Sequence, residues 1–513
     1  MASLAASAMP ALNLAPVLRP FAPSPGVMPA AMVAMFLSSG GDERIRIDPL
    51  TGRTKYGTLG TPAEDEIWFS SSTASCVDSR SFAAAAGVVA RLIGANGDHD
   101  ADIKSWFDQI RSRLVDLFGP PGTEVVLTGS GTEAEFIALS AAQAILARPL
   151  TNIVMGTDEI GSGVTMAAGG RHFLSSSSLG GLVVRGSALH GFGAGQIEVG
   201  GIALRDAGGY PRDPAVIDRE AAALVAQSLA AGRDVLLHVL DASATGLSGV
   251  TRETARALAG QARGRIAIVV DACQLRCPPA RLRSDLEAGF MVMISGSKFA
   301  GGPPFAGALL LPGGIVERLQ GGARAPCGLG AFSARFDWPE IFRGGFAADL
   351  ESAVNLGLGL RWESALAVMQ PFFSLPEVLR TQILGWFAGT VHRLVAARPH
   401  LRQLAAEPSR AKTIIPIETS GYAATPAGAV ALHAALAASE APARASRAAS
   451  KACHLGPSVT IGDKTALRLC ASMPLVLDIA TRIMAGRRIE AAVAPVVDDL
   501  NVLFEKWDRL AGA

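Results

Sequence analysis

Lys298 ends an apolar, strand-like run, Phe290-Met291-Val292-Met293-Ile294-Ser295-Gly296-Ser297-Lys298, and a turn rich in glycine and proline follows at once. A primary amine held at the end of a buried strand is placed to condense with an aldehyde. The position is conspicuous because the chain draws nearly all its positive charge from arginine; its other lysines are Lys55, Lys104, Lys412, Lys451, Lys464 and Lys506. Upstream, Ile266-Ala267-Ile268-Val269-Val270 is a continuous, β-branched apolar run of the kind buried on both faces of a parallel sheet, and it ends in Asp271-Ala272-Cys273-Gln274. Ligands of open parallel sheets gather at the carboxyl ends of strands. Two strands ending in Lys and in Asp are therefore expected to meet in one site.

That pair matches two of the three requirements of pyridoxal 5'-phosphate (PLP) chemistry. An amine must hold the aldehyde, a carboxylate must keep the pyridine nitrogen protonated, and backbone amides must hold the phosphate. The third requirement points to Thr128-Gly129-Ser130-Gly131-Thr132-Glu133-Ala134, which reads as the end of a strand, a glycine turn and the first turn of a helix. Free N–H groups at a helix N-terminus favour a phosphate dianion. The same turn also serves as an ordinary loop with Thr132 as helix N-cap.

The order of these segments resembles the fold-type-I PLP enzymes, in particular the class V aminotransferase and cysteine desulfurase superfamily. Residues 128–134 are similar to the family's phosphate turn, and His238-Val239-Leu240-Asp241-Ala242-Ser243-Ala244-Thr245-Gly246 resembles its acidic Thr-Gly segment. Asp271-Ala272-Cys273-Gln274 matches its Asp-Ala-x-Gln, and Ser295-Gly296-Ser297-Lys298 its Ser-x-x-Lys. The resemblance implies that Lys298 carries the cofactor, Asp271 faces the pyridinium nitrogen, Gln274 and Asp241 contact the cofactor, and Ser295, Gly131 and Thr132 hold its phosphate. It also implies a homodimer.

The chain departs from the family over the cofactor ring. The family stacks a histidine there, whereas Asn152-Ile153-Val154-Met155-Gly156-Thr157-Asp158-Glu159-Ile160-Gly161-Ser162-Gly163 has none, so Glu159 or a small residue is expected to cover the ring. His172 is a candidate to enter the site from a loop. Arg468, in Thr465-Ala466-Leu467-Arg468-Leu469-Cys470, resembles the family's carboxylate-binding arginine, and a planar guanidinium grips a carboxylate bidentately. Arg343 lies where the family brings a partner-subunit loop to the cofactor. Cys453 stands upstream of Arg468 at a separation like that of the nucleophilic cysteine in one group of desulfurases, where a thiolate takes sulfur as persulfide.

The expected activity is that of a PLP-dependent transferase or lyase acting on an α-amino acid or an amino-acid-like substrate. The first expectation is aminotransferase-type chemistry. The alternatives are elimination or replacement on a sulfur-containing amino acid, as in a C–S lyase or cysteine desulfurase, and a catalytically inactive PLP-fold binding protein.

Composition agrees with an enzyme of this size. The 513 residues carry 46 Lys and Arg against 45 Asp and Glu, a net charge of +1 that offers no footprint for nucleic acid or an anionic membrane surface. No apolar run reaches the ~20 residues of a transmembrane helix. The six cysteines are scattered; Cys273 and Cys277 have a metal-like spacing but no second ligand pair matches it, so reduced thiols in a cytoplasmic protein are expected. Alternating strand-like and helix-like segments predict an α/β sheet with helices on both faces, and the resemblance implies a mostly parallel seven-stranded sheet flanked by helices, with a smaller α+β lobe. Leu182-Val183-Val184-Arg185 is among the expected strands. The expected domains are a flexible extension over 1–42, an N-terminal part of the small lobe over 43–95, the large PLP-binding domain over 96–345 and the C-terminal small domain over 346–513. Ser70-Ser71-Ser72-Thr73-Ala74-Ser75 is expected to reach the active site as a polar loop.

Overall fold

The computed structural model describes residues 30–94, 99–161, 163–193, 195–406, 412–440 and 446–512. Strands in these residues are β1 (Ile67–Phe69), β2 (Glu124–Thr128), β3 (Leu150–Met155), β4 (Ile197–Ile202), β5 (Asp234–Leu240), β6 (Ile266–Ala272), β7 (Met291–Ser295), β8 (Gly307–Leu311), β9 (Arg402–Gln403), β10 (Ile414–Glu418), β11 (Cys453–Ile461) and β12 (Lys464–Cys470). They form a seven-stranded sheet in the order β2-β8-β7-β6-β5-β3-β4 and a five-stranded sheet in the order β1-β11-β12-β10-β9.

In the large sheet only β8 runs antiparallel to its neighbours. β5, β7 and β8 are buried along their whole length and β6 along most of it, because helices cover both faces of the sheet. Parallel pairing brings the carboxyl ends of β2, β5, β6 and β7 to one edge. There Leu240 lies opposite Asp271, Asp271 opposite Met293, and Ser295 opposite Gly307, which also faces Thr128. The Asp and Lys motifs therefore come together through strand register.

The helix Leu356–Ser374 fixes the loop after Lys298. Its Arg361 is fully buried and donates to the carbonyls of Phe305 and Gly40, and Trp362 Nε1 donates to Gly307 O at 2.9 Å. Gly296 and Gly302 admit this helix, since a Cβ on either would come within 3 Å of Ala365 Cβ. Phe305 (φ 75°) and Leu275 (φ 49°) are the non-glycine residues with positive φ among the described residues. One closes the loop after Lys298 and the other follows Gln274, so backbone strain is concentrated beside the two motifs.

The small sheet is antiparallel except where β1 joins β11. Two expectations change here. Part of the extension, Ala30–Leu37, is a helix whose Met32, Val33, Phe36 and Leu37 are buried, because its run of apolar residues finds a partner in the helix Leu356–Ser374; residues 1–29 lie outside the described residues. Leu182 to Arg185 forms no strand: Leu182 makes a single bridge to Ser176 in a surface turn and is 93% exposed. No helix among the described residues is long and apolar enough to cross a membrane.

Candidate active site

Lys298 sits just past β7, half-buried, and its amine has no hydrogen bond or ion pair among the described residues. Burying part of a long cationic side chain without a partner is costly unless something is to be bound there. Asp271, at the end of β6, accepts the Cys273 amide at 3.0 Å, and both Asp271 and Lys298 act electrostatically on the Cys273 thiol. Burial pushes that thiol well above its ordinary range.

The glycine turn completes the group. The helix Gly131–Ile145 is capped by Ser130, not Thr132: the Ser130 hydroxyl accepts the Glu133 amide. A Ser at this position reaches the third amide, whereas the first two amides of any helix lack an internal acceptor. Those amides belong to Gly131 and Thr132. A Cβ on Gly131 would fall 2.6 Å from Cys273 Sγ, so the bare backbone is what lets the turn close on the β6 motif. Across the turn Ser295 Oγ and Ser297 Oγ lie 2.7 Å apart. Amides with the helix dipole behind them, hydroxyls, an amine and a carboxylate on one sheet edge match the donor set that PLP requires.

Gln274 is buried and donates to Ser72 O at 2.9 Å, so the polar loop at 70–75 does reach this edge. The same loop meets Arg468. Arg468 lies on β12 and is 5% exposed, yet its guanidinium bonds only neutral oxygens: Pro457 O, Thr73 Oγ1 and Ala244 O. Burial pulls its titration below the ordinary value, and the nearest acidic influences are Cys470 and Glu159. The Pro457 carbonyl points inward because the β11–β12 register shifts between Gly456 and Val459. Ser72 Oγ is buried without a partner, and a Cβ on Gly456 would come 2.6 Å from it and 2.9 Å from Arg468 Cβ. A buried arginine bonded only to neutral oxygens, beside a hydroxyl without a partner, has the chemistry to accept a carboxylate.

Glu159 is otherwise engaged. Its carboxylate takes bonds from Arg205, Ser243 and Thr245, the Ser243 bond at 2.6 Å. Gly161 passes near the helix N-terminus, where a Cβ on it would lie 3.4 Å from Thr132 Oγ1. Asp241, fully buried, lies 3.0 Å from Arg252, which also bridges to Asp285. His172 stands in the surface turn beside Phe332, with its ring centroid 5.6 Å away. Arg343 pairs with Asp108 at 3.0 Å and donates to Trp338 O within the chain. Cys453 is buried at the start of β11, near Lys506 and Asp499, and burial pushes its thiol up to about 11. The contacts of these last three residues include none of the Lys298 group.

Sequence reading missed the Glu135–His238 pair behind the sheet edge, although a Glu on the buried face of an apolar helix and a His inside an apolar strand are each unusual. It also missed Arg44, which is bound by Asp42 and acts electrostatically on Glu133.

No protein-family model matches the sequence, and no curated protein is detectably similar to it. Among solved structures, the cystine C-S lyase C-DES, in complex with its reaction product cysteine persulfide, aligns over 80% of this chain and 93% of its own at 13% identity, with a TM-score of 0.52. A NifS-like protein aligns over 87% of this chain and 100% of its own at 14% identity, with a TM-score of 0.51. The chain shares the fold of these two structures. Its seven-stranded sheet places Lys298, Asp271 and the Gly131 turn on one edge, and Arg468, on the smaller sheet, meets the loop at 70–75 through Thr73.

Proposed function

We propose that this protein is a PLP-dependent enzyme that acts on an α-amino acid. The observation that carries the reading is the unpartnered Lys298 amine on the same sheet edge as Asp271 and the open amides of Gly131 and Thr132. When bound, PLP supplies an aldehyde for an amine and a ring that accepts the electron pair left at Cα.

The chain's own groups divide the remaining work. Arg468 binds the substrate carboxylate, and Ser72 and Thr73 line its approach. Asp271 holds a proton on the pyridine nitrogen. Lys298 would hold the aldehyde and would serve as the general base for the Cα proton. Gly131, Thr132 and Ser295 would hold the phosphate, and Gln274 would contact the ring.

Of the reaction branches, we favour cleavage of a C–S bond in a sulfur-containing amino acid. The name of one fold relative, a cystine C-S lyase, supports it, and so does chemistry: β-elimination asks only for a base at Cα and needs no protein thiol. Transfer of sulfur to Cys453 would ask its buried, weakly acidic thiol to leave the core.

The test is direct. Purified protein mixed with PLP is expected to absorb in the near-visible range, and borohydride followed by peptide mapping should fix the cofactor on Lys298. Absence of a reducible adduct, or its survival in Lys298→Ala, would sink the reading. Incubation with cysteine or cystine then separates the branches. Pyruvate with ammonia indicates C–S lysis, keto acid with pyridoxamine phosphate indicates transamination, and sulfide release that vanishes in Cys453→Ala indicates desulfuration through that thiol.

A further inference from the structure

A separate cavity of about 80 Å³ lies at the seam between the two sheets' lobes. It has several times the room of a single water, roughly 10–15 Å³ on the same measure. Arg205 and Tyr210 wall it from the large lobe, Arg402 and Gln403 from β9, and Ile461 and Lys464 from the β11–β12 turn. The walls meet backbone to backbone: Gly209 (φ 78°) and Gly462 (φ 62°) face each other, and a Cβ on Gly209 would fall 2.7 Å from Ile461 O. Such close glycine contact holds the cavity's shape.

Its polar groups are unevenly satisfied. Arg205 is used up by Glu159, Thr245 and Gly209 O. Arg402 and Lys464 have no hydrogen bond or ion pair among the described residues, and Lys464 has only the Tyr210 ring, 5.4 Å from its Nζ. Gln403 Oε1 is buried without a donor. Asp206, in the adjoining turn, spends its carboxylate on the amides of Gly208 and Tyr210. Glu418, opposite Arg402 in β10, makes no ion pair with it. Two free cations and one orphaned acceptor in a preformed cavity call for a ligand that is both anion and donor.

We propose that this cavity binds a small oxyanion that carries a hydroxyl, either a hydroxy acid or hydrogen phosphate. Arg402 and Lys464 hold the charge, and the hydroxyl donates to Gln403 Oε1. The site stands apart from the Lys298 group and does not depend on the function proposed above.

The test is calorimetric titration of the full chain, preincubated with PLP, with L-malate, succinate and inorganic phosphate in turn. Saturable binding of malate or phosphate is expected, and the tighter of the two identifies the ligand's source. Malate should exceed succinate, which lacks the hydroxyl, by about tenfold, the worth of one hydrogen bond. Arg402→Gln with Lys464→Gln, both outside the core, should weaken binding at least tenfold, and Gln403→Met should erase the preference for malate. Absence of saturable binding by either ligand, equal binding of malate and succinate, or binding untouched by the double substitution would overturn the proposal.

Discussion

Glu135 Oε1 lies 3.3 Å from His238 Nε2, and both side chains are buried between the helix Gly131–Ile145 and β5. The contact is close enough for an ion pair but poorly aligned for a hydrogen bond, since Nε2 finds no geometric partner. Asn152 Nδ2 donates to the same carboxylate oxygen at 2.7 Å. Burial disfavours the imidazolium, yet Glu135 outweighs it and, with a smaller effect from Asp271, raises the His238 titration above 6.5. Stability from this pair is therefore complete below pH 6.5 and lost as pH rises through the raised value. His238→Leu strands a buried carboxylate and should cost about 3 kcal/mol in urea unfolding at pH 6, whereas Glu135→Leu with His238→Leu should recover much of it. A single variant as stable as the parent would refute the pair.

Gly131 and Cys273 offer a test by rescue. Gly131→Ala places a Cβ 2.6 Å from Cys273 Sγ and 3.5 Å from its Cβ. The single variant should weaken PLP binding by about tenfold or more, because the turn must shift. Cys273→Ala removes the sulfur and leaves an ordinary contact, so the double variant should regain most of the affinity. Dissociation constants from absorbance titration decide it, and additive losses would refute the coupling.

For Arg468, two readouts should separate. Its guanidinium is buried among neutral oxygens, so the folded chain gains little from its charge. Arg468→Gln should leave the melting temperature unchanged or higher while weakening amino-acid binding to the PLP-loaded protein by roughly ten- to a hundredfold. Unchanged binding would remove Arg468 from the substrate site.

Glu133 makes stability depend on pH in the opposite direction from an ordinary carboxylate. Burial, reinforced by Asp42 and opposed by Ser178 and Arg44, raises its titration from 4.5 to about 7. A folded value above the unfolded one means stability falls as pH rises from 4.5 to 7, by roughly 3 kcal/mol. Asp337, raised by burial to about 7, adds a similar slope over the same window. Glu133→Gln should therefore reduce the decline in unfolding free energy between pH 4.5 and 7 by roughly 3 kcal/mol. An unaltered slope would place the titration elsewhere.

Much of the group on the sheet edge was legible because its motifs are local. Lys298, Asp271 and Gln274 each end or follow an apolar run that is itself the strand, and parallel pairing then aligns those ends without further instruction. The turn at Gly131 was equally plain, although its cap proved to be Ser130, since the hydroxyl one residue before the helix reaches the Glu133 amide.

What only the tertiary structure decided is which long-range partner each remaining side chain found. Glu159 was expected near the ring but is taken by Arg205, Ser243 and Thr245, brought in from β4 and β5. Cys453 and Arg468 have desulfurase-like spacing, yet strand pleating sends Cys453 into the core and Arg468 toward Thr73 and Ala244. The charge on Arg468, the pairing of Glu135 with His238, and the seam between Gly209 and Gly462 all depend on residues distant in sequence. Local pattern specifies where a strand ends; only packing determines what faces that end.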